Sequence, residues 1–158
     1  MQPFTTCLWF DDKAEEAVKF YTSIFKDSKV GHVARYGKNM PGKEGSVVTV
    51  EVELNGQKFI ALNGGPHFKL TPAISVMVNC ETQDEIDHYW EKLLEGGAPQ
   101  QCGWLTDKFG LTWQIVPAEI AGMWKNGTPV QTQKMMEALM KMIKLDIKTL
   151  KQAYDQAA

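Results

Sequence analysis

The residues able to do chemistry are few in this chain of 158 residues, and they lie far apart. Its three cysteines, Cys7, Cys80 and Cys102, form no close pair along the sequence. An odd, scattered set of thiols is typical of a reduced protein, because disulfide frameworks use paired cysteines. Cys102 has no histidine near it in the sequence to activate it as a nucleophile. A pair in space between Cys102 and His67 stays open as an alternative.

Asp107 and Gln114, at the two ends of a short segment, could form hydrogen bonds rather than act as nucleophiles. Asp107 lies in the sequence Thr-Asp-Lys-Phe-Gly, where an aspartate most often accepts backbone N–H groups and builds a turn. Gln114 can donate and accept hydrogen bonds, but its amide cannot act as a general base. Because side chains alternate along a strand, Trp113 is expected to face away from Gln114 and into the core. The pattern favours a ligand contact or a packing role for Gln114.

These residues lie within repeated copies of one structural unit. In the first copy, an apolar strand over residues 3–10 precedes an amphipathic helix that begins near Lys13. A weaker strand is expected over residues 29–36. Residues 47–54 then alternate with period two, and Asn55-Gly56 predicts a tight hairpin to a strand over 58–63. The unit therefore has the order βαβββ.

A second copy follows the first. A strand over residues 73–79 and a helix over 83–95 are expected, and Gly96-Gly97 ends the helix. The apolar helix positions Ala17, Tyr21 and Ile24 correspond to Ile86, Trp90 and Leu93. The distance from helix to last strand is shorter in the second copy. We therefore expect an α+β fold of two βαβββ modules, residues 1–66 and 67–129, in one domain.

The pattern changes after Pro117. A short helix or turn is predicted over residues 118–124, and helices over 131–144 and 147–154 form a C-terminal helical extension, residues 130–158. An apolar stripe on this extension must pack either on the protomer's own core or on a partner subunit. We expect a homodimer that the extension stabilises. The stripe consists of Met135, Met136, Leu139, Met140 and Ile143.

The bulk composition is that of an ordinary globular protein. Hydrophobic residues make up 44% of the chain, charged residues 23%, and the formal charge is −2. These values argue against a disordered or fibrous protein and give no electrostatic reason to expect a nucleic-acid partner. No apolar run approaches the ~20 residues that span a bilayer, and the first residues lack the pattern of a secretory leader. We expect a cytoplasmic protein with neither membrane nor nucleic-acid partners.

Three segments resemble a known family. Residues 14–21 look like the first helix of the vicinal oxygen chelate superfamily, also called glyoxalase/bleomycin-resistance/dioxygenase-like. The run from Cys102 to Pro117 resembles its PhnB-like branch, which is often labelled demethylubiquinone methyltransferase, and so does the tail over 135–147. The resemblance implies two modules with curved mixed sheets around a cavity, commonly in a homodimer.

The same resemblance implies where a metal would bind. Enzymes of the superfamily take His or Glu ligands from the first and fourth strands of each module. The corresponding residues here are Thr6, Ile60, Gln114 and Ser75, or Pro72 in place of Ser75 by a looser alignment. None is a ligand that divalent transition metals prefer. The sequence therefore predicts no metal and no cofactor.

We interpret the chain as a metal-free protein of the PhnB-like branch that holds a small organic molecule in a cavity. The alternatives are a metal-independent enzyme acting on a small organic substrate and a structural protein whose own side chains fill the cavity. A methyltransferase has little support, since no glycine-rich loop joins a strand to a helix. Catalytic residues stay unassigned. The expected cavity residues are Thr6, Leu8, Phe10, Asn63, Trp104 and Gln114.

Overall fold

The computed structural model describes residues 4–157, which form eight strands and five helices. The chain divides into two compact units, of which the first ends at Leu70 and the second begins at Thr71. The first contains β1 (Thr6–Phe10), α1 (Ala14–Ile24), β2 (Ser28–Arg35), β3 (Val47–Leu54) and β4 (Gln57–Asn63). The second contains β5 (Ser75–Cys80), α2 (Gln83–Leu94), β6 (Ala98–Pro99), β7 (Trp104–Thr106), β8 (Thr112–Pro117), α3 (Ile120–Asn126), α4 (Pro129–Leu139) and α5 (Ile147–Asp155).

Each unit has the same four-stranded sheet. The strand order is β1-β4-β3-β2 in the first and β5-β8-β7-β6 in the second. The first and last strands of each module run parallel, and the other neighbours run antiparallel, so both sheets are mixed. The predicted α+β fold of two βαβββ modules is confirmed.

Each helix packs its apolar stripe against its own sheet. In the first unit Ala17, Tyr21 and Ile24 of α1 are buried, and in the second Ile86, Trp90 and Leu93 of α2 are buried. Alternate strand residues complete each core, since successive side chains of a strand point to opposite faces. The predicted correspondence between the two helices is therefore confirmed by burial. The buried strand residues are Leu8, Phe10, Val47, Val50, Val52, Leu54, Phe59 and Ala61 in the first unit, and Val78, Cys80, Leu105, Thr112, Trp113, Ile115 and Pro117 in the second.

The hairpin between β3 and β4 forms where Asn55-Gly56 predicts it. Asn55 has φ 46° and Gly56 has φ 81°, so both central residues adopt the left-handed conformation of a type I′ turn. Leu54 pairs directly with Gln57 across this turn. The turn thus fixes the register of β3 and β4 in the first sheet.

The second module is a shortened copy of the first. Its strands β6 and β7 have 2 and 3 residues, whereas β2 and β3 have 8 residues each. These are the strands between the helix and the last strand, where the sequence comparison places the missing residues. The shortening leaves the parallel pair of β5 and β8 intact.

The C-terminal segment packs on the second unit of its own chain. Met135, Leu145 and Leu150 are buried together, with Val116 and Met123 packed against them. Met135 and Leu139 of the predicted stripe therefore face the chain's own core. Met140 and Ile143 are more than half exposed.

Helix α4 ends at Leu139, five residues before the predicted end at 144. The chain leaves the helix because its carbonyl groups find partners elsewhere. Cys102 N–H donates to the carbonyl oxygen of Met142, and Gly103 N–H donates to that of Ile143, both at 2.8 Å. The sequence pattern carries no sign of these long-range bonds, since the apolar spacing continues through residue 143.

Two further expectations from the sequence are that the cysteines are reduced and that no segment spans a membrane. Cys7 is exposed, Cys80 is buried and Cys102 is half-buried, and all three are free thiols. Among residues 4–157, no helix combines the length and the apolar character needed to cross a bilayer.

Candidate functional site

Each sheet has a face covered by its helix and an opposite face, here called the open face. The open face of the second sheet carries Ser75 and Met77 of β5, Trp104 and Thr106 of β7, and Gln114 of β8, since these residues alternate with the buried ones. Thr112 of β8 points to the same side, but it is only 1% exposed. Strand pairing places them in rows. Met77 and Trp104 are the direct neighbours of Gln114 on its two sides, and Thr106 and Ser75 are those of Thr112.

Gln114 is at the centre of this open face. Its Nε2 donates a hydrogen bond to Ser75 Oγ at 2.8 Å. Trp104 and Met77 flank it with an indole ring and a thioether, and Met77 is 52% exposed. Within residues 4–157, no hydrogen bond reaches the amide oxygen of Gln114. The structure therefore brings together Trp104 and Gln114, two of the predicted cavity residues.

A short polar network continues from Gln114 along the same face. Gln100 Nε2 donates to Thr106 Oγ1 at 2.6 Å, and the hydroxyl oxygens of Thr106 and Thr112 lie 3.5 Å apart. These groups are amides and hydroxyls, which stay uncharged across the physiological pH range. Sequence reasoning missed Ser75 as the partner of Gln114, and it missed Met77, Thr106 and Thr112. Period-two alternation from Gln114, together with strand pairing, would have found them.

Asp107 holds the β7–β8 hairpin in the register that places Gln114 on the open face. Its Oδ1 accepts N–H groups of Phe109 at 2.8 Å and of Leu111 at 3.1 Å, and its Oδ2 accepts the indole N–H of Trp113 at 2.8 Å. Asp107 is 3% exposed and Trp113 is 1% exposed. The aspartate builds the turn, as the sequence predicts, and it also fixes Trp113 toward the core.

The predicted cavity residues of the first unit lie differently. Leu8 and Phe10 are each 4% exposed and belong to the face under α1, and Thr6 alternates with them onto that face. Asn63 Oδ1 accepts the N–H of Ala14 at 2.8 Å, and its Nδ2 donates to the carbonyl of Val47 at 3.2 Å, so this amide joins α1 to β3. A ligand contact by these four residues stays a prediction.

Cys7 and Trp9 occupy the open face of β1 instead. Although Cys7 is exposed overall, partial desolvation of its thiol raises the pKa of Cys7 above its ordinary value. Trp9 donates its indole N–H to the carbonyl of Gly65 at 2.9 Å, and its ring meets that of Phe68 edge-on at 5.0 Å between centroids. Gly64 has no side chain because a Cβ there would lie 2.3 Å from the indole. Sequence alternation could not orient β1, since all four residues from Cys7 to Phe10 are apolar.

The open face of the first sheet is charged. A groove of about 300 Å³ lies along it, lined among others by Lys29, Glu51, Glu53, Lys58 and Ile60. Lys29 Nζ lies 3.4 Å from a carboxylate oxygen of Glu53, an ion pair open to water. The two sheets therefore present different chemistry at equivalent positions.

The side chains on the second open face do not fit a catalytic metal. Hydroxyl, amide, thioether and indole groups replace the imidazole and carboxylate ligands that zinc, nickel or iron prefer. Across the part of the chain that the structure describes, no three His, Cys, Asp or Glu residues converge in a way that could hold an ion. The donor chemistry thus disagrees with a metal-dependent reaction at this face.

Comparison with known proteins agrees with this architecture. The doubled βαβββ fold is that of the vicinal oxygen chelate superfamily. Residues 2–116 match the family model described as 3-demethylubiquinone-9 3-methyltransferase, and the chain belongs to this PhnB-like family. Comparison with curated proteins gave no match.

Three solved structures illustrate the range of similarity. The PhnB protein of Bacillus cereus is 43% identical, with a TM-score of 0.68, over 74% of this chain and 100% of that one. Protein PA1353 of Pseudomonas aeruginosa is 18% identical, with a TM-score of 0.61, over 73% and 96%. The fosfomycin resistance protein FosX of Listeria monocytogenes, solved with Mn(II) and sulfate, is 13% identical, with a TM-score of 0.53, over 73% and 91%. The last two share the fold alone.

Proposed function

We propose that this protein binds a small organic molecule at the open face of the second sheet, without a metal. The observation that carries the proposal is the geometry of Gln114. Ser75 orients its amide from one side, while Trp104 and Met77 flank it with apolar surface. Ligand sites combine an apolar or aromatic surface with a few fixed polar groups, and this face has both.

The orientation of the Gln114 amide is useful for recognition. Its Nε2 is held by Ser75, so the amide oxygen has a defined direction and can accept a hydrogen bond from a ligand. A fixed acceptor discriminates among ligands better than a mobile one, because less conformational entropy is lost on binding. The half-buried hydroxyl of Thr106 extends the polar surface by two residues along β7, and the buried hydroxyl of Thr112 lies 3.5 Å from it.

A metal-independent enzyme acting on a small organic substrate is the second candidate. The description of the family names a methyltransferase, which favours an enzyme. Acid–base chemistry needs a group that titrates near the working pH, and an amide or an aliphatic hydroxyl does not. The side chains of the second open face therefore support binding more directly than turnover.

A thermal-shift screen of small organic compounds tests the binding function. The screen is run with the protein dialysed against a chelator and compares the native chain with Gln114→Met, which keeps the shape but removes the amide. Gln57→Met is the matched control, because Gln57 is an exposed residue of β4. We expect compounds that raise the melting temperature of the native chain and of the control, but not of Gln114→Met. Stabilisation that persists in Gln114→Met, or that needs added metal, would contradict the proposal.

The predicted contacts of the first unit are tested with the same compounds. Thr6→Val removes one hydroxyl, Asn63→Leu removes the amide, and Leu8→Ala and Phe10→Leu remove apolar atoms. If Thr6, Leu8, Phe10 or Asn63 contacts the ligand, its variant binds the ligand more weakly than its loss of protein stability explains. An affinity equal to that of the native chain would show that these residues make no ligand contact.

We also propose that the protein is a homodimer located in the cytoplasm. Support for the dimer comes from the exposed apolar residues on the C-terminal helices. Trp124 and Met140 are 45% and 55% exposed, and both line a groove of about 580 Å³ along α4 together with Met136. Soluble monomers rarely expose a contiguous apolar surface of this kind.

A further inference from the structure

We propose that the open face of the second sheet selects an uncharged, planar organic molecule that carries its own hydrogen-bond donor. This inference rests on the binding function proposed above and names the class of ligand. It follows from the charges of the side chains on that face, from their geometry and from their counterparts in the first module.

The side chains on the second open face are uniformly uncharged. Ser75, Thr106 and Gln114 supply hydroxyls and an amide, and Met77 and Trp104 supply apolar surface. Thr112, which is buried beside Thr106, is also uncharged. A charged ligand loses its hydration on binding and finds no opposite charge here to replace it. Leaving a charge unpaired in a desolvated site is strongly unfavourable, whereas a neutral polar group needs only a hydrogen bond. The face therefore discriminates against ions.

The equivalent positions of the first sheet show that this neutrality is specific to the second. In the second sheet Trp104 pairs with Gln114, and the equivalent pair in the first sheet is Glu51 with Ile60. In the next row Thr106 pairs with Thr112, and the equivalent pair in the first sheet is Glu53 with Lys58. Three charged residues of the first sheet thus have neutral counterparts in the second. The same backbone framework tolerates charge at the positions of Trp104 and Thr106, so its architecture does not impose neutrality there, whereas burial disfavours a charge at Thr112.

The geometry of the face favours a planar molecule with a donor. An indole on one side of Gln114 and a thioether on the other offer surfaces on which a flat ring packs well. Because Ser75 accepts from the amide nitrogen of Gln114, the amide oxygen faces a ligand as an acceptor. A ligand N–H or O–H in the plane of its ring satisfies that oxygen.

Three probes of nearly identical shape test this inference. Benzamide is neutral, benzoate is an anion and benzamidine is a cation at neutral pH. Each is titrated into isotopically labelled native protein, and the resonances of the Gln114 side-chain amide and the Trp104 indole N–H are followed. We expect benzamide to shift both resonances with a Kd of about millimolar, as befits so small a molecule. Benzoate and benzamidine should bind at least about ten-fold more weakly, which corresponds to one unpaired charged group.

Two variants sharpen the test. Gln114→Glu places a carboxylate on the face, so the preference should turn from benzamide to benzamidine. Ile60→Leu changes the equivalent residue of the first sheet and should leave all three affinities unchanged. If benzoate or benzamidine binds native protein as well as benzamide does and shifts the same two resonances, the ligand class is wrong while the binding site stands. If none of the probes shifts either resonance, both the ligand class and the proposed binding face are wrong.

Discussion

At the scale of single residues, Asp107 has the largest effect on the candidate site. Its carboxylate satisfies two backbone N–H groups of the turn and the indole of Trp113 at once. Because Trp113 and Gln114 are neighbours on one strand, fixing the first toward the core fixes the second toward the open face. The buried Asp107 thus determines which side chains of β8 lie on the open face.

Replacing Asp107 by alanine should therefore destabilise the protein strongly. The change leaves buried donors unsatisfied, and we expect the free energy of unfolding to fall by roughly 3 kcal/mol or more. Urea denaturation measures the loss. Asp155→Ala, at the exposed end of α5, is the control and should change stability by less than about 0.5 kcal/mol. A loss at Asp107 no larger than in the control would show that the turn does not depend on the carboxylate.

Cys80 gives a prediction for the dependence of stability on pH. Burial, with smaller contributions from the nearby Glu85 and Glu81, raises the pKa of its thiol to about 12. In the unfolded chain the thiol ionises near its ordinary value of 9.0. Between these two values the unfolded state releases a proton that the folded state keeps, so stability falls as the pH rises.

The contribution of Cys80 is isolated by comparison with Cys80→Ala. Up to about pH 9 the two proteins should differ by a constant amount, the cost of the lost side chain. Above that pH the native chain should lose up to about 1.4 kcal/mol per pH unit relative to the variant, as far as the raised pKa. Guanidinium denaturation series from pH 7 to pH 11 provide the measurement. Parallel curves throughout would show that Cys80 ionises equally in both states.

The residues of the candidate site could be predicted where apolar and polar side chains alternate clearly along a strand. Trp113 faces the core and Gln114 faces away from it, as expected, because the apolar and polar residues of β8 differ clearly. The matching of Thr6 with Ser75 was wrong by one residue: Thr6 lies on the face under α1, whereas Ser75 bonds to Gln114. Strand pairing places Cys7 beside Ile60 and Met77 beside Gln114, so the offset between the first strands of the two modules is one residue larger than that between their helices.

At the scale of elements, the C-terminal segment acts as a strap on the second module. The carbonyls of Met142 and Ile143 bind the N–H groups of Cys102 and Gly103, and the carbonyl of Gly103 accepts the N–H of Ile115. These residues immediately precede Trp104 and follow Gln114. The strap therefore supports the ends of the two strands that carry the candidate site.

Gln83 holds the other end of this strap. Its Nε2 donates to the carbonyl of Leu145 at 3.1 Å, and its Oε1 accepts the N–H of Ile147 at 2.9 Å. Lys144 also pairs with Asp87 of α2, and this hydrogen bond, with a smaller one from Gln83, lowers the pKa of Asp87. That ion pair is partly exposed, so it stabilises the strap little.

We expect Gln83→Leu to lower the free energy of unfolding by about 1–2 kcal/mol, because two backbone groups lose their partner. Hydrogen exchange of the Ile147 amide should accelerate more than that of amides in the first unit. Gln156→Leu, just beyond α5, is the control. Unchanged exchange at Ile147 would show that Gln83 does not hold the strap.

Most elements could be predicted from the sequence because each has a local signal. Asn-Gly marks the hairpin, glycines follow α2, and apolar spacing marks both module helices. The early end of α4 could not be predicted, since it depends on bonds between residues 102–103 and 142–143. The short strand β6 has only two residues, too few for a period to show.

At the scale of the whole molecule, the assembly gives a testable prediction. Met140→Glu places a charge on the exposed apolar groove of α4 while leaving the buried Met135 in place. If the groove is the dimer contact, light scattering should show a dimer for the native chain and a monomer, still folded, for Met140→Glu. Gln152→Glu adds the same charge on α5 and should stay dimeric. A native monomer, or a dimeric Met140→Glu, would contradict this interface.

The central claim is that a small molecule binds at Gln114 without a metal. A crystal structure of the protein with the best-stabilising compound from the screen tests it most directly, with anomalous data collected at the zinc, nickel and iron edges. We predict electron density for the compound within hydrogen-bonding distance of the Gln114 amide and against Trp104, with no anomalous peak nearby. A metal bound beside Ser75 and Gln114, or a compound bound only in the charged groove of the first sheet, would contradict it.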